Sequence, residues 1–295
     1  RSSSEYTATV GMPISRAARM TRTAISPRLA IRIFLSTGAN VGAVAADGDI
    51  WTSTAWPAGW EVRHVAETGS TNTDLIEHVL AGEVGNRTVL AADHQTAGRG
   101  RLDRRWEAPP GANLLVSMVV APIPAVAAHV TQRLGLAAVA AVRRLIDPDV
   151  AATVGLKWPN DVLLGERKLA GILAQRVPGR DAVVVGMGLN VGWAPDGAAA
   201  VGPHTTGGRV TPARVLLAVL EELDALPSDI AGQYRDALVT LGRPVCIDLP
   251  GGADPLVGRA VDVDDAGRLV VLDAAGVQRH LDVGDVVHVR PAGPH

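Results

Sequence analysis

Residues 98–106 read Gly98-Arg99-Gly100-Arg101-Leu102-Asp103-Arg104-Arg105-Trp106, four arginines and two glycines in nine positions. Glycine lets backbone N–H groups approach an anion closely, and a guanidinium neutralises it with forked donors. The segment therefore suits closure over a phosphate. Taken alone, it fits a solvated basic turn or a phosphate-contacting arm on nucleic acid equally well. Two later runs shift the balance: Lys157-Trp158-Pro159-Asn160-Asp161 and Arg167-Lys168-Leu169-Ala170-Gly171-Ile172-Leu173. Lys168 leads straight into an apolar run, an unusual place for a lysine without a task. Neither GxGxxG nor GxxxxGK[ST] occurs, so nucleotide binding here rests on no general motif.

Composition narrows the classes. The 295 residues suffice for one large domain and a small one, and 47% apolar content supports a sizeable core. A net charge of −2 gives no global attraction to DNA or an anionic membrane, so the arginine loop is a local device. No apolar run is long enough to span a bilayer. The single cysteine, Cys246, forbids an internal disulfide and fits a reducing cytoplasm. It sits in the alternating run Val245–Leu249 and reads as a packed strand residue. No Cys/His spacing suggests zinc.

Five motifs occur in order: Ser70-Thr71-Asn72, Gln95-Thr96-Ala97-Gly98-Arg99-Gly100-Arg101, Lys157-Trp158-Pro159-Asn160-Asp161, Lys168-Leu169-Ala170-Gly171-Ile172-Leu173 and Gly186-Met187-Gly188-Leu189-Asn190. Together, over roughly residues 60–290, they resemble the biotin protein ligases. The resemblance implies an α/β (α+β) catalytic domain of the biotin/lipoate ligase type with a C-terminal SH3-like β-barrel. It implies activation of biotin by ATP to biotinyl-5′-AMP, then transfer to one lysine of a biotin carboxyl carrier protein. That carrier would be free-standing or a domain of acetyl-CoA, propionyl-CoA or pyruvate carboxylase. Mg²⁺ would arrive on the ATP phosphates.

The same resemblance assigns roles. Ser70, Thr71, Asn72, Gln95, Arg99, Gly100, Arg101, Lys168 and Gly171 would contact biotin. Arg101, Arg104, Trp106, Lys157, Asn160, Asp161 and Asn190 would line the nucleotide side. Lys168 and Arg101 would stabilise charge at the reacting carboxylate and phosphate, and Asp161 would accept or orient the proton of the acceptor lysine. Some family members carry an N-terminal helix-turn-helix and repress biotin genes. Three amphipathic helices cannot be traced before Trp60, so the monofunctional class is expected, with no DNA partner. A lipoate ligase or octanoyltransferase of the same fold is the nearest rival. The polar Ser70-Thr71-Asn72 and Gln95 set argues against it, because a dithiolane or alkyl tail offers no ureido group to bond.

These residues need elements to position them. Residues 1–58 are basic, with one acid before Asp47, and are expected to be a disordered or non-native extension. A catalytic domain is expected over 59–240 and a small barrel over 241–295. Strands are expected at Glu61–Thr68, Thr88–Asp93, Asn113–Val120, Lys168–Gln175 and Ala182–Leu189, with one bent strand through 156–164. Helices are expected from Ser70 or Thr71, over Val126–Ile146, Pro212–Leu226 and Ile230–Leu238, all on one side of the sheet. Asp74, three residues after Thr71, would complete a capping box. Five short β-rich runs after Leu241, punctuated by glycine turns, give the barrel.

Overall fold

Apolar residues alternating along the strands and recurring every three to four positions along the helices build two layers of core around one sheet. The computed structural model describes residues 50–101, 104–205, 209–249 and 254–282, with the backbone of 285–288. Most of the expected N-terminal extension, and the Leu102-Asp103 step of the arginine loop, lie outside these residues.

In chain order, a single turn α1 (Ile50–Ser53) precedes β1 (Glu61–Thr68), α2 (Thr71–Ala81), β2 (Thr88–Gln95) and β3 (Leu114–Val120). Then come α3 (His129–Leu145), the short α4 (Pro148–Ala151), β4 (Val154–Lys157), β5 (Asp161–Leu164), β6 (Arg167–Arg176) and β7 (Val183–Leu189). The loop after β7 holds one 3-10 turn, Gly202–His204, and leads to α5 (Pro212–Ala225) and α6 (Ala231–Ala237). The chain closes with β8 (Pro244–Asp248), β9 (Leu256–Val263), β10 (Leu269–Asp273), β11 (Gln278–Leu281) and β12 (Asp285–His288).

The first seven strands form one sheet in the order β1-β2-β3-β7-β6-β5-β4, with β1 and β2 parallel and the other pairs antiparallel. Val89, Val116, Val185 and Ile172 point to one face, under α3 and α5. Leu90, Val119 and Val184 point to the other, under Leu75 and Val79 of α2. This corrects the expectation of helices on one side only. The strands are apolar on both faces at that end of the sheet, so both must be covered.

A second correction concerns 156–164, which is a hairpin rather than one bent strand. Lys157 faces Asp161 across the β4–β5 pair. Pro159 has no N–H to give to a ladder, so pairing stops on either side of it. The expected capping box is also absent. Ser70 occupies the N-cap of α2, but its side chain makes no capping bond, and the Asp74 carboxylate accepts from the Thr68 hydroxyl instead.

The five runs after Leu241 each form a strand, in one antiparallel sheet ordered β11-β10-β9-β8-β12. Among the described residues no pairing joins β11 to β12. Asp47–His295 forms one compact unit. Val245, Ile247 and Ala260 of the small sheet share a core with α3 and the fully sheltered Trp158. The Trp158 indole N–H donates to Gly267 O (3.2 Å), and Arg235 Nε pairs with Asp262 Oδ1 (2.8 Å). Cys246 lies half-buried on the face of β8 opposite Val245 and Ile247.

Candidate active site

On the α2 face, the core gives way to a cleft of about 350 Å³. Its floor is the β5–β6–β7 part of two rows in register across the strands, each row running on into β3 or β2 behind the cleft. One row runs Asp161, Gly171, Gly188, Leu115, and the next runs Leu173, Gly186, Ser117, Leu90. Small residues recur where a ligand would otherwise meet side chains. The absence of a side chain at Gly186 admits Asn72, whose Oδ1 would lie 2.3 Å from an added Cβ. At Gly188 the Trp106 ring takes that place, again 2.3 Å from an added Cβ. No real Cβ tolerates such a contact, so these two glycines let Asn72 and Trp106 pack down onto the sheet as walls of the cleft.

The wall on the α2 side is polar and sheltered from water. Asn72, Leu75 and Val79 share one face of α2, so Asn72 is the polar head of an apolar stripe. Thr71, Asn72 and Ser117 are 3%, 6% and 0% exposed. The Thr71 backbone N–H donates to Gln95 Oε1 (2.8 Å), so a side chain from the end of β2 satisfies the helix start. Asn72 Nδ2 donates to Leu173 O (3.2 Å) and Gln175 Oε1 (2.7 Å). Ser117 Oγ lies 2.7 Å from Thr71 Oγ1 and 2.6 Å from Asn72 Oδ1.

The side facing β5 and β6 is charged. Lys168 Nζ lies 2.7 Å from Asp161 Oδ1, an ion pair without hydrogen-bond alignment. The same ammonium sits 5.7 Å from the centroid of Trp106, within cation–π range. The arginine loop is a tight hairpin: Arg99 bridges Arg105, Gly100 N–H donates to Arg104 O (2.7 Å) and Trp106 N–H to Gly98 O (3.0 Å). Arg101 Nη1 donates to Asn160 Oδ1 (3.0 Å), while Asn160 Nδ2 donates to Ile172 O (2.8 Å). Asn160 thus ties Arg101 to the sheet. The buried Trp106 Nε1–H has no hydrogen-bond partner, which leaves a donor to be satisfied in the cleft.

The cleft brings together every site residue singled out from the sequence except Lys157. Ser70, Thr71, Asn72, Gln95, Arg99, Gly100, Arg101, Arg104, Trp106, Asn160, Asp161, Lys168, Gly171 and Asn190 all line it. Lys157, at the end of β4, does not. Asn190 lines the cleft, but its amide is committed to structure. Its Oδ1 accepts from Asn113 Nδ2 (3.2 Å) and its Nδ2 donates to Ala199 O (2.9 Å), pinning the loop that carries Pro195 and Ala198 over the site.

Asn113, Ser117 and Gln175 were not picked out from the sequence, and Gly186 and Gly188 stood in one of the five motifs without a role of their own. A lone serine in the otherwise apolar run Leu114–Val120 was a usable signal for Ser117. Gln175 carried none, because a glutamine near a strand end is ordinary. A second groove of about 640 Å³ continues from the cleft through Arg101, Asn160, Ile172 and Leu173 and is bounded beyond by Gly267 and Arg268. Among the described residues no group of three or more His, Cys, Asp or Glu side chains could form a metal cage. Among the described residues that line the cleft, Asp161 and Glu107 are the carboxylates, a set that would suit Mg²⁺ carried on phosphates with most of its waters.

Comparison with known proteins places this geometry. The model of the biotin/lipoate A/B protein ligase family matches residues 65–191, and that of the biotin protein ligase C terminal domain matches residues 240–289. A biotin--[acetyl-CoA-carboxylase] ligase of Mycobacterium tuberculosis is 42% identical over 250 residues, 79% of this chain and 91% of the relative. The structure of biotin protein ligase from Aquifex aeolicus in complex with biotin and ATP is similar at a TM-score of 0.65 and 27% identity, over 78% of this chain and 99% of that one. The Leishmania major biotin protein ligase with biotinyl-5-AMP is similar at 0.53 and 25% identity, over 76% and 99%. With both family models matched in order and nearly the whole of a 42%-identical relative covered, the chain belongs to the biotin protein ligase family.

Proposed function

We propose that this chain is an ATP-dependent biotin protein ligase acting on a carboxylase carrier domain. One observation carries the reading: the sheltered polar wall of Thr71, Asn72 and Gln95 and the charged set Lys168, Asp161 and Arg101 line the same cleft. The wall suits a small cyclic urea, and the charged set suits two anions that must meet.

The reaction then has two steps. A biotin carboxylate oxygen attacks the α-phosphorus of ATP, the bond to the β-phosphate oxygen breaks, and pyrophosphate leaves. The carboxylate is ionised at neutral pH, so no acid–base help is needed. What the step needs is positive charge where negative charge gathers, supplied by Lys168, Arg101 and Arg104. Mg²⁺ bound to the phosphates would add to it. In the second step a carrier lysine attacks the acyl carbon, AMP leaves, and the amine loses a proton. Asp161 would take or orient that proton, and its ion pair with Lys168 supports the reading. The groove running on past Arg101 and Asn160 gives the carrier lysine a path in.

The catalytic region is read as 59–240 and the C-terminal region as 241–295, with a cytoplasmic setting and no DNA partner. Among the described residues no helix is long and apolar enough to cross a membrane. The test is to incubate the protein with biotin, ATP and a purified carrier domain of acetyl-CoA carboxylase, then map the product by mass spectrometry. One biotinoyl group on one carrier lysine, with AMP released, supports the reading. A carrier left unmodified by biotin but modified by lipoate would assign the rival activity.

A further inference from the structure

Ser117 and Gln175 lie behind the polar wall, outside the residues that line the cleft. Their hydrogen bonds nevertheless decide which wall atoms give protons and which accept them. The chain of reasoning starts at Leu173 O, a backbone carbonyl that can only accept. It faces one end of the Asn72 amide at 3.2 Å, which makes that end Nδ2. The second Nδ2 proton goes to Gln175 Oε1 at 2.7 Å. Asn72 Oδ1 therefore points to Ser117, 2.6 Å away, and can only accept.

A serine hydroxyl has one proton, and Asn72 Oδ1 takes it. Ser117 Oγ must then accept at its other close contact, 2.7 Å from Thr71 Oγ1, so the Thr71 proton points to Ser117. The Thr71 hydroxyl also lies 3.0 Å from Gln95 Oε1, but the Thr71 backbone N–H already donates to that oxygen at 2.8 Å, whereas Ser117 Oγ is nearer and has given its own proton away. Two consequences reach the cleft. Thr71 and Gln95 both line the cleft, Thr71 Oγ1 is left with lone pairs alone to offer, and Gln95, with its Oε1 committed to Thr71, is left with its Nε2 donor. The wall thus presents one fixed acceptor and one fixed donor.

We propose that Ser117 and Gln175 are positioning residues that set this polarity and so select a ligand carrying both an N–H and a carbonyl in one small ring. This rests on the biotin reading of the cleft and adds to it the residues that impose specificity from behind. Without Ser117, the Thr71 proton is free to turn to Gln95 Oε1 or to the ligand, and Asn72 Oδ1 loses its donor. A buried polar group left without its partner is what makes such a site discriminate.

The experiment measures biotin-dependent exchange of labelled pyrophosphate into ATP, with KM for biotin, KM for ATP and kcat read separately. Ser117→Ala and Ser117→Cys, the latter close in volume to serine but a weak donor, should each raise KM for biotin about tenfold or more. KM for ATP and kcat should stay within about threefold. Gln175→Leu should raise KM for biotin several-fold, and Gln175→Glu, which can still accept from Asn72, should recover most of that loss. A purely structural role would move all three parameters together and would not be rescued by glutamate. Unchanged KM for biotin in Ser117→Cys and Gln175→Leu, with the unaltered chain active, overturns the inference alone. No biotin-dependent exchange in the unaltered chain overturns the ligase reading, and this inference with it.

Discussion

On the α2 side of the cleft, polar atoms are held by neutral partners within a sheltered network: Thr71 by Gln95 and Ser117, Asn72 by Leu173, Gln175 and Ser117. On the β5–β6 side, the groups are charged, and the part-exposed Lys168 is held by the more sheltered Asp161, another member of the site. The first arrangement costs nothing to reorganise when a ligand enters, because the donors and acceptors are already aimed. In the proposed reaction the second must exchange partners: Lys168 would leave Asp161 for an anion, which would free the carboxylate for the acceptor amine. Recognition is built in advance, while charge is switched by the substrates themselves.

Substitutions can break that contrast, the charged side giving the largest effect. Lys168→Ala should lower the rate of adenylate formation by about two to three orders of magnitude, about 3–4 kcal/mol of transition-state stabilisation. Folding should be little changed, because the side chain is 40% exposed. A single-turnover assay of AMP-anhydride formation, with circular dichroism as the folding control, checks both.

Gly186→Ala attacks the wall. Its Cβ would displace Asn72, and overpacking of this kind costs about 1–3 kcal/mol. Biotin binding by calorimetry should weaken roughly ten- to hundredfold, while ATP binding holds. A similar loss for both ligands would mean that the two sides are not separable.

Arg101→Gly tests the loop as a lid over a reactive mixed anhydride. Losing a charge-assisted contact of about 1.5–3 kcal/mol implies a roughly ten- to hundredfold weaker hold on the adenylate. Escaped adenylate would biotinylate a bystander such as a serum albumin. Labelling no higher than with the unaltered chain would remove Arg101 from the lid. Asn160→Ala should give the same leak in milder form, several-fold by the same assay, because it takes away the group that ties Arg101 to the sheet. Arg105→Ala should do least. Its side chain is 80% exposed and pairs only loosely with Glu107 at 3.8 Å, a surface contact worth about 0–1 kcal/mol. Leak and exchange rates for this variant should match those of the unaltered chain within about twofold.

The same contrast explains what the sequence made legible. Charged groups announce themselves. Arginines among glycines, and a lysine at the head of an apolar run, are rare enough to be read directly, and Arg101, Lys168 and Asp161 do meet in one cleft. Strand positions were also readable from alternation, down to the five short runs after Leu241. The network behind the wall was not. Ser117 and Gln175 matter because register sets Ser117 beside Gly186, next to Leu173 and within reach of Asn72, and register is a property of pairing between strands far apart in sequence. Ser70-Thr71-Asn72 illustrates the limit from the other side. The local pattern suggests a capping box, yet long-range partners claim Thr71 and Asn72. Lys157 adjoins the site in sequence, but it stands at the end of β4 and outside the cleft lining.

The central claim is that one cleft joins a urea-reading wall to an anion-activating cation. Acid-dependent exchange of labelled pyrophosphate into ATP, run with biotin and with lipoate in parallel and with no carrier present, tests it most directly. The account predicts rapid exchange with biotin and at least about a hundredfold less with lipoate, since a dithiolane leaves the Thr71 acceptor and the Gln95 donor unpaired. Equal exchange with both acids, or a preference for lipoate, would contradict it.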